Sequence, residues 1–216
     1  MTVTFLRNPK KVRGTFIWGE AIMFSGIVEE TGVIRKVEKK KNLFVVILEA
    51  DTVTKGTKVG DSISCDGICL TVTKIKGKLM TFDLMKETLD ATTFKYAKPG
   101  RRINLERSLK VNDRIGGHFV SGHIDGTGVF IERVTIPNYV EWRIKVDKNL
   151  ARYIIPKGSV TIDGVSLTVG VVKKNYFSVY LIPHTLEVTT FGLKKTGEIV
   201  NIETDILAKY ILHDKY

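Results

Sequence analysis

Hydrophobic and polar residues alternate along much of this chain with the two-residue period of a β-strand. In the clearest case, Val140–Asp147, apolar side chains at even-numbered positions alternate with charged side chains at odd-numbered positions. This pattern predicts a strand with one buried face. Leu43–Leu48 is a continuous apolar run of strand length. Because such segments recur about every 8 to 12 residues, the sequence predicts an all-β fold of small closed barrels.

Turn and helix signals separate the strand-like segments. Glycine tolerates a positive φ, so the Asp-Gly pairs at Asp66–Gly67 and Asp163–Gly164 each predict a hairpin turn or a bulge. The segment Glu87–Leu89 and its equivalent His184–Leu186 each predict a helical turn. Near the end of the chain, Ile206–Leu212 has apolar residues at helical spacing. We expect a C-terminal helix whose apolar side packs against another surface, such as a second subunit.

The sequence repeats itself once. Cys65–Val72 recurs as Ile162–Val169, and three more blocks keep an offset of 97 or 96 residues. These further pairs are Lys86–Phe94 with Pro183–Phe191, Asn104–Glu106 with Asn201–Glu203, and Ser25–Val33 with Ser121–Val129. A register kept over four blocks indicates a tandem duplication. We expect an N-terminal extension at 1–22, a first barrel at 23–112, a second barrel at 113–205 and a C-terminal helix at 206–216.

Composition narrows the class of protein. The formal net charge of the 216 residues is +11, and a basic chain can bind nucleic acid. However, the basic residues are dispersed, and the one dense run, Arg35–Lys41, lies between two predicted strands and is interpreted as a solvated loop. No apolar stretch reaches the roughly 18 residues of a membrane span. If Cys65 and Cys69 lie on one strand they stand about 13 Å apart, whereas a tight turn would bring them closer. We expect no disulfide and a cytoplasmic location.

The two copies differ at positions that suit chemistry. The unequal pairs are Ile27 with His123, Cys69 with Ser166, Lys86 with Pro183, and Glu87 with His184. Similar surfaces with unequal proton-handling groups suit a reaction between two similar molecules in different roles, although drift after duplication produces such differences too. Structural interpretations also stay open: His123 as a hydrogen-bonded structural residue, Cys69 as a small buried hydrophobe, and His118 as an exposed side chain.

These blocks resemble the riboflavin synthase family over nearly all of the chain beyond residue 22. Met23–Glu29 is similar to the family's opening, and Gly116–Ile124 is similar to the start of its second half. The two Asp-Gly-x-[Cys/Ser]-Leu-Thr-Val blocks and Phe82–Leu89 complete the match, which is specific because all blocks occur in order. The family begins at the Met-Phe found here at 23–24, so the preceding 22 residues predict a start-site artefact or a disordered arm.

The resemblance implies two six-stranded antiparallel barrels and a homotrimer that the C-terminal helix helps to assemble. It implies a site between the first barrel of one subunit and the second barrel of its neighbour. The implied reaction transfers four carbons from one 6,7-dimethyl-8-ribityllumazine to another, giving riboflavin and 5-amino-6-ribitylaminouracil, with no metal or redox cofactor. The sequence itself shows neither a metal-ligand cluster nor a P-loop.

The resemblance also implies the site residues. His123 is the expected base that takes a proton from the acidic C7 methyl group, with Thr168 and Ser166 orienting it or stabilising charge. Cys69 and Ser62 are expected near the other lumazine, where a nucleophile or water adds to C7. The binding residues expected in the first barrel are Gly26, Ile27, Val28, Cys69, Leu70, Thr71, Asp83, Leu84, Met85, Lys86, Glu87 and Thr88. Those expected in the second barrel are Gly122, His123, Ile124, Lys157, Ser166, Leu167, Thr168, Leu181, Ile182, Pro183, His184, Thr185 and Leu186.

Two alternative functions stay open. Non-catalytic lumazine or flavin carriers share the double barrel, but they lack the histidine and the cysteine at the positions of His123 and Cys69. A tandem nucleic-acid-binding fold would present aromatic stacking residues between basic ones on an exposed face, and the sequence shows no such stripe. The residues therefore favour the enzyme over both alternatives.

Overall fold

The computed structural model describes residues 23–41 and 43–213. Within these ranges the chain forms two closed antiparallel β-barrels of six strands each, followed by a short helix. The predicted all-β fold with two similar six-stranded barrels and a C-terminal helix is therefore confirmed. The predicted extension at 1–22 and the last part of the predicted C-terminal segment, 214–216, lie outside the described residues.

The two barrels have the same strand order. The strands of the first barrel are β1 (Glu30–Lys40), β2 (Leu43–Glu49), β3 (Ser62–Cys65), β4 (Ile68–Lys76), β5 (Leu79–Met85) and β6 (Arg102–Arg107). Those of the second are β7 (Gly126–Ile136), β8 (Tyr139–Lys145), β9 (Ser159–Ile162), β10 (Val165–Val172), β11 (Phe177–Leu181) and β12 (Ile199–Thr204). Around the barrels the orders are β1-β2-β5-β4-β3-β6 and β7-β8-β11-β10-β9-β12.

Among the described residues, a short helix follows the fifth strand of each barrel, and two further helices occur only in the second half of the chain. The helices are α1 (Lys86–Ala91) after β5, α2 (Lys148–Ala151) after β8, α3 (Pro183–Val188) after β11, and α4 (Ile206–His213) at the end. A 3₁₀ turn follows α1 at Thr93–Tyr96, and another follows α3 at Thr190–Leu193. The two predicted helical turns are confirmed. No helix in the described ranges is long and apolar enough to cross a membrane.

Alternate side chains of each strand point inward and fill the barrel. In β8, Val140, Trp142 and Ile144 are 5% exposed or less, as the alternating pattern predicts. The strand ends at Lys145, two residues earlier than the pattern indicates. The Trp142 ring stacks on Phe130 with ring centroids 3.9 Å apart. Since each fully buried Val, Ile or Phe side chain contributes roughly 1.5–3 kcal/mol, the two interiors make the barrels firm supports for whatever lies at their rims.

The two Asp-Gly turns meet at the boundary between the barrels. Asp66 and Gly67 have φ values of 48° and 84°, and Asp163 and Gly164 have 44° and 78°. Two successive residues with positive φ form the two-residue hairpin turn that joins β3 to β4 and β9 to β10. A Cβ added to Gly67 would lie 2.8 Å from the backbone nitrogen of Gly164. The turns are therefore in backbone contact, and that contact leaves no room for a side chain.

The chain crosses this boundary at the start of each repeat. Phe24 and Val120 form an antiparallel bridge with N···O distances of 2.8 and 3.1 Å. The Glu106 carboxylate of β6 accepts hydrogen bonds from the N–H and hydroxyl of Ser25, at 2.8 and 2.9 Å, and from the following N–H at 3.1 Å. Glu203 of β12 holds Ser121–Gly122 in the same way. The bridge and the two carboxylates send each leading segment toward the opposite barrel.

Candidate active site

The first barrel has an opening where two neighbouring strands part. β4 and β5 are paired only as far as Val72 and Phe82, although β4 begins at Ile68 and β5 continues to Met85. The segments Ile68–Thr71 and Asp83–Met85 are therefore not joined to each other by the barrel's hydrogen-bond ladder. We call the opening between them the first mouth.

The second barrel has the equivalent opening. β10 and β11 pair at Val169 and Val179 and do not pair further toward the start of β10. The opening lies between Val165–Thr168 on β10 and Tyr180–Ile182 at the end of β11, and we call it the second mouth. Each mouth therefore exposes a strand edge that the barrel leaves without a partner strand.

Main-chain groups of one threonine point into each mouth. The N–H of Val72 donates to Asp61 and its C=O accepts from Gly60, both at 2.9 Å, so these groups face β3. Because successive residues of a strand face opposite edges, the N–H and C=O of Thr71 point into the first mouth. By the same alternation, Thr168 presents its N–H and C=O to the second mouth. An adjacent donor and acceptor of this kind match the edge of a cyclic amide.

The two segments that cross the boundary, 24–28 and 120–124, each form one wall of a mouth. Each of these crossing segments lines the mouth of the opposite barrel. The Cys69 N–H donates to the Gly122 carbonyl at 2.8 Å, and the Ser166 N–H donates to the Gly26 carbonyl at 2.8 Å. Ile124 packs against the core of the first barrel, whereas Val28, in the other crossing segment, packs against the core of the second. The expected grouping, with Gly26–Val28 in the first barrel and Gly122–Ile124 in the second, is therefore wrong.

His123 consequently lies in the first mouth. It follows Gly122, which is bonded to Cys69, and its N–H donates to the Ser121 hydroxyl at 3.3 Å. The imidazole is exposed, so it can meet a ligand that enters the opening. Its counterpart in the second mouth is Ile27, which cannot exchange a proton.

Cys69 and Ser62 stand on the same face of the first barrel. Burial raises the pKa of the Cys69 thiol, against the smaller lowering effect of the nearby Ser62 hydroxyl. Ser62 pairs with Thr71 in the β3–β4 ladder, and its buried Oγ has no well-formed hydrogen bond within the described residues. The thiol is therefore protonated near neutral pH, and the Ser62 hydroxyl lies beside it, shielded from the surface.

The second mouth contains a histidine, His118. His118 is half-buried, its Nδ1 lies 2.7 Å from the Ser166 hydroxyl, and burial lowers its pKa. The expectation for His118 is therefore wrong, and Ser166 contacts this histidine. A Cβ at Gly117 would lie 2.2 Å from the Ser25 carbonyl and 2.6 Å from the Ser166 Cβ. The glycine before His118 was the signal that this histidine approaches the barrel closely.

A separate cleft of about 510 Å³ opens beside β3 and β6 of the first barrel. It is lined by Ser62, Ile27 and the segment 106–110, but by neither Cys69 nor His123. Only two of the expected site residues line it, so we do not assign the reaction to this cleft. Among the described residues, no group of three His, Cys, Asp or Glu side chains could hold a metal ion.

Both repeats match one known family of domains. The family described as "Lumazine binding domain" matches residues 25–108 and again residues 121–205. Riboflavin synthase of Actinobacillus pleuropneumoniae is 47% identical over 88% of this chain and 88% of its own length. The Escherichia coli K12 riboflavin synthase is 45% identical over 85% of this chain and 87% of its own length. The chain belongs to the riboflavin synthase family.

Solved structures show the same double barrel. LumP complexed with 6,7-dimethyl-8-(1'-D-ribityl) lumazine matches with a TM-score of 0.76 and 25% identity, over 84% of this chain and 99% of that chain. LumP complexed with riboflavin matches with a TM-score of 0.79 and 24% identity over the same shares. At 24% identity, the match to LumP complexed with riboflavin shows a shared fold.

The residues suggested by the riboflavin synthase family divide between the two mouths. At the first mouth are Cys69, Leu70, Thr71, Asp83, Leu84, Met85, Lys86, Glu87, Thr88, Gly122, His123, Ile124 and Ser62. At the second mouth are Ser166, Leu167, Thr168, Leu181, Ile182, Pro183, His184, Thr185, Leu186, Gly26, Ile27 and Val28. Leu70, Leu84 and Leu181 are buried in the barrel cores, so their side chains cannot face a ligand at a mouth.

Charged residues at the rims differ between the copies. Lys86 at the start of α1 forms an exposed ion pair with Asp90 at 2.5 Å, whereas the equivalent residue in the second barrel is Pro183. Lys157 is exposed and has a φ of 65°, at the position where the first barrel has Gly60 with a φ of 98°. Both residues donate an N–H to a strand that borders a mouth, so the two positions are equivalent and only the second barrel has a cation there.

Proposed function

We propose that this chain, as a riboflavin synthase, binds one 6,7-dimethyl-8-ribityllumazine in each type of mouth and transfers four carbons between the two. One observation supports this above the others: the mouths have equivalent backbones but unequal side chains. Thr71 and Thr168 offer the same donor and acceptor to a ligand. The first mouth has His123 and Cys69 at the positions where the second mouth has Ile27 and Ser166. Equal binding with unequal chemistry is what a reaction between two identical molecules requires.

Holding the two lumazines together supplies much of the acceleration. Orienting two reactants in contact can lower a barrier by several kcal/mol, up to about 7–11 kcal/mol in well-organised systems. The strand edges at Thr71 and Thr168 bind the pyrimidine edge, and the hydroxyl groups and lysines at the rims bind the ribityl chain. Lys86 and Lys157 are the rim lysines.

Proton transfer then falls to His123. In this proposal its imidazole takes a proton from the C7 methyl group, whose carbanion is delocalised into the ring. The carbanion attacks the second lumazine, whose C7 has been activated by addition of a nucleophile or water near Cys69 and Ser62. The acceptor gains C6, C7 and their two methyl carbons from the donor. Riboflavin and 5-amino-6-ribitylaminouracil account for every atom of the two substrates, so no other reagent is consumed.

We further propose that the reacting mouths belong to neighbouring copies in a cytoplasmic homotrimer. The short helix α4 leaves Leu207, Tyr210 and Ile211 exposed by 56%, 72% and 69%. Met85 and Ile182, at the rims of the two mouths, are exposed by 62% and 56%. These apolar surfaces support an assembly that covers the helix and closes a first mouth against a second mouth.

The test is to mix the purified protein with 6,7-dimethyl-8-ribityllumazine alone and follow riboflavin formation by absorbance. We expect turnover without any additive, with one equivalent of 5-amino-6-ribitylaminouracil released for each riboflavin. Tight lumazine binding without turnover would instead identify a carrier, the second candidate, which the fold shared with LumP makes worth testing. The oligomeric state is measured on the same preparation by sedimentation equilibrium.

A further inference from the structure

Two buried asparagines occupy equivalent places at the boundary between the barrels. Asn104 lies in β6 and is 1% exposed, and Asn201 lies in β12 and is 0% exposed. Through their main chains they bond to their own barrels: the Asn104 N–H donates to the Asp66 carboxylate, and the Asn201 N–H donates to the Asp163 carboxylate, each at 2.8 Å. Their side chains make different contacts.

Both polar atoms of the Asn201 side chain bind the first barrel. Its Nδ2 donates to the Asp66 carbonyl at 2.8 Å, and its Oδ1 accepts from the Thr93 N–H at 2.8 Å. Asp66 is in the turn that leads into β4 and Cys69, and Thr93 begins the 3₁₀ turn directly after α1. Asn201 of the second barrel therefore links the turn before β4 to the 3₁₀ turn after α1, and these two turns lie behind the two sides of the first mouth.

Asn104 makes the equivalent contacts with the second barrel. Its Nδ2 donates to the Asp163 carbonyl at 2.9 Å, and its Oδ1 accepts from the Thr190 N–H at 2.8 Å. Asp163 is in the turn that leads into β10 and Ser166, and Thr190 begins the 3₁₀ turn after α3. The supports of the second mouth are thus joined by a side chain of the first barrel.

The boundary around these amides leaves little freedom for movement. Arg101 pairs with the Asp66 carboxylate at 2.9 Å, and Lys194 pairs with the Asp163 carboxylate at 2.8 Å. The two turns touch through Gly67 and Gly164, as described above. A buried N–H or C=O that loses its partner is costly, so each asparagine satisfies two main-chain groups of buried residues.

We infer that Asn201 is a positioning residue for the first mouth and Asn104 is a positioning residue for the second. Each ligand site is then held in shape by the opposite barrel. Removing the amide leaves a main-chain donor and a main-chain acceptor unsatisfied at the base of one mouth, and small displacements of site groups are costly for binding and rate. The inference rests on the proposed function only for the identity of the ligand.

The experiment compares Asn201→Ala with Asn104→Ala, using one reporter in each mouth. The rate of Cys69 alkylation reports on the first mouth, since Cys65 is fully buried and does not compete. The imidazole NMR signals of His118, which contacts Ser166, report on the second mouth. Riboflavin is the ligand, because it has the pyrimidine edge and ribityl chain and is not consumed.

We expect a crossed result. Asn201→Ala changes the alkylation rate of Cys69 and weakens its protection by riboflavin about tenfold, while the His118 signals stay as in the wild type. Asn104→Ala shifts the His118 signals and their response to riboflavin, while Cys69 behaves as in the wild type. The control Asn149→Ala, at an exposed position on α2, changes neither reporter.

The inference is overturned if each variant perturbs the mouth of its own barrel, or if both reporters change equally in both variants. If the alanine variants do not fold, Asn201→Ser and Asn104→Ser are compared in the same way. Loss of fold in these too would overturn the inference, because each asparagine would then hold the whole structure and not one mouth. Turnover of lumazine by the wild-type protein is recorded separately. Its absence would refute the proposed function without deciding the crossed pattern.

Discussion

The first and second mouths have the same backbone but different side chains. In each, a threonine offers its N–H and C=O to the opening. A glycine with a positive φ, Gly122 (78°) in the first mouth and Gly26 (76°) in the second, accepts a hydrogen bond from the neighbouring strand through its carbonyl. In the first mouth this glycine is followed by His123, and in the second by Ile27.

This difference suggests how a duplicated binding domain becomes an enzyme. The parts that the copies keep in common are main-chain contacts, which recognise a ligand without depending on side-chain identity. The parts that differ are the titratable groups, and the second mouth retains His118 only behind Ser166, with burial lowering the pKa of its imidazole. The half-buried His118 contacts a hydroxyl group that it can orient, while the exposed His123 is accessible to a ligand.

The largest expected effect separates these two roles. His123→Ala should lower the rate of riboflavin formation by about 10²- to 10⁴-fold, the usual contribution of a general base. The matched variant Ile27→Ala alters the shape of the second mouth but removes no proton acceptor, so we expect less than about a tenfold loss. Initial rates at saturating lumazine give the comparison. Equal losses in the two variants would mean that His123 acts only through packing.

The sequence predicts the shared half of this comparison better than the unequal half. The alternation in β8 and the Asp66–Gly67 turn are local signals, because a strand face and a positive φ depend on neighbouring residues. The tandem repeat then transfers each local assignment to the second copy. The family resemblance supplied His123 and Cys69 as site residues.

What the sequence did not predict depends on contacts between distant residues. The bridge between Phe24 and Val120 joins the starts of the two repeats, and no local pattern shows that each segment continues onto the opposite barrel. The contact of His118 with Ser166 follows from the same crossing, because the residues before Val120 are carried with it. A repeat shows that two copies are alike, but it does not show which copy a connecting segment joins.

The crossing itself is tested by alanine at its two glycines. In Gly122→Ala the new Cβ would lie 2.6 Å from the Cys69 Cβ, and in Gly26→Ala it would lie 2.6 Å from the Ser166 Cβ. Strain from the positive φ and overpacking together should lower the free energy of unfolding by about 3 kcal/mol in each variant. The control Gly56→Ala, with φ of 81° and nothing within 4 Å of the new Cβ, should lose only about 1 kcal/mol. Urea unfolding measures all three, and an equal loss at Gly56 would show that the segments do not pack as described.

The boundary between the barrels should respond to pH. Burial, and then the charge of Asp163, raise the pKa of Asp66 to about 6 against the opposing charge of Arg101. The ordinary value is 3.8, so between about pH 4 and pH 6 the folded chain binds more protons than the unfolded chain. This group therefore adds to the free energy of unfolding below pH 4, and its contribution is lost as the pH rises through 6, by an amount on the order of 3 kcal/mol. Subtracting the urea-unfolding curve of Asp66→Asn from that of the wild type should reveal this slope, and two parallel curves would contradict it.

The smallest effect on the rate of riboflavin formation is expected from replacing Cys69, whose equivalent in the second mouth is Ser166. Burial raises the pKa of the Cys69 thiol, so little thiolate, the reactive form of cysteine, is present near neutral pH. Ser166 already occupies the equivalent place in the second mouth, where its N–H makes the same hydrogen bond to a crossing glycine. Cys69→Ser should therefore keep the rate of riboflavin formation within about tenfold of the wild type, with an unchanged pH profile up to pH 9. Ser166→Cys is the matched exchange in the other direction. A loss above about 10³-fold in Cys69→Ser alone would make the thiol the group that adds to C7, because a hydroxyl in the same backbone position would then have failed to replace it.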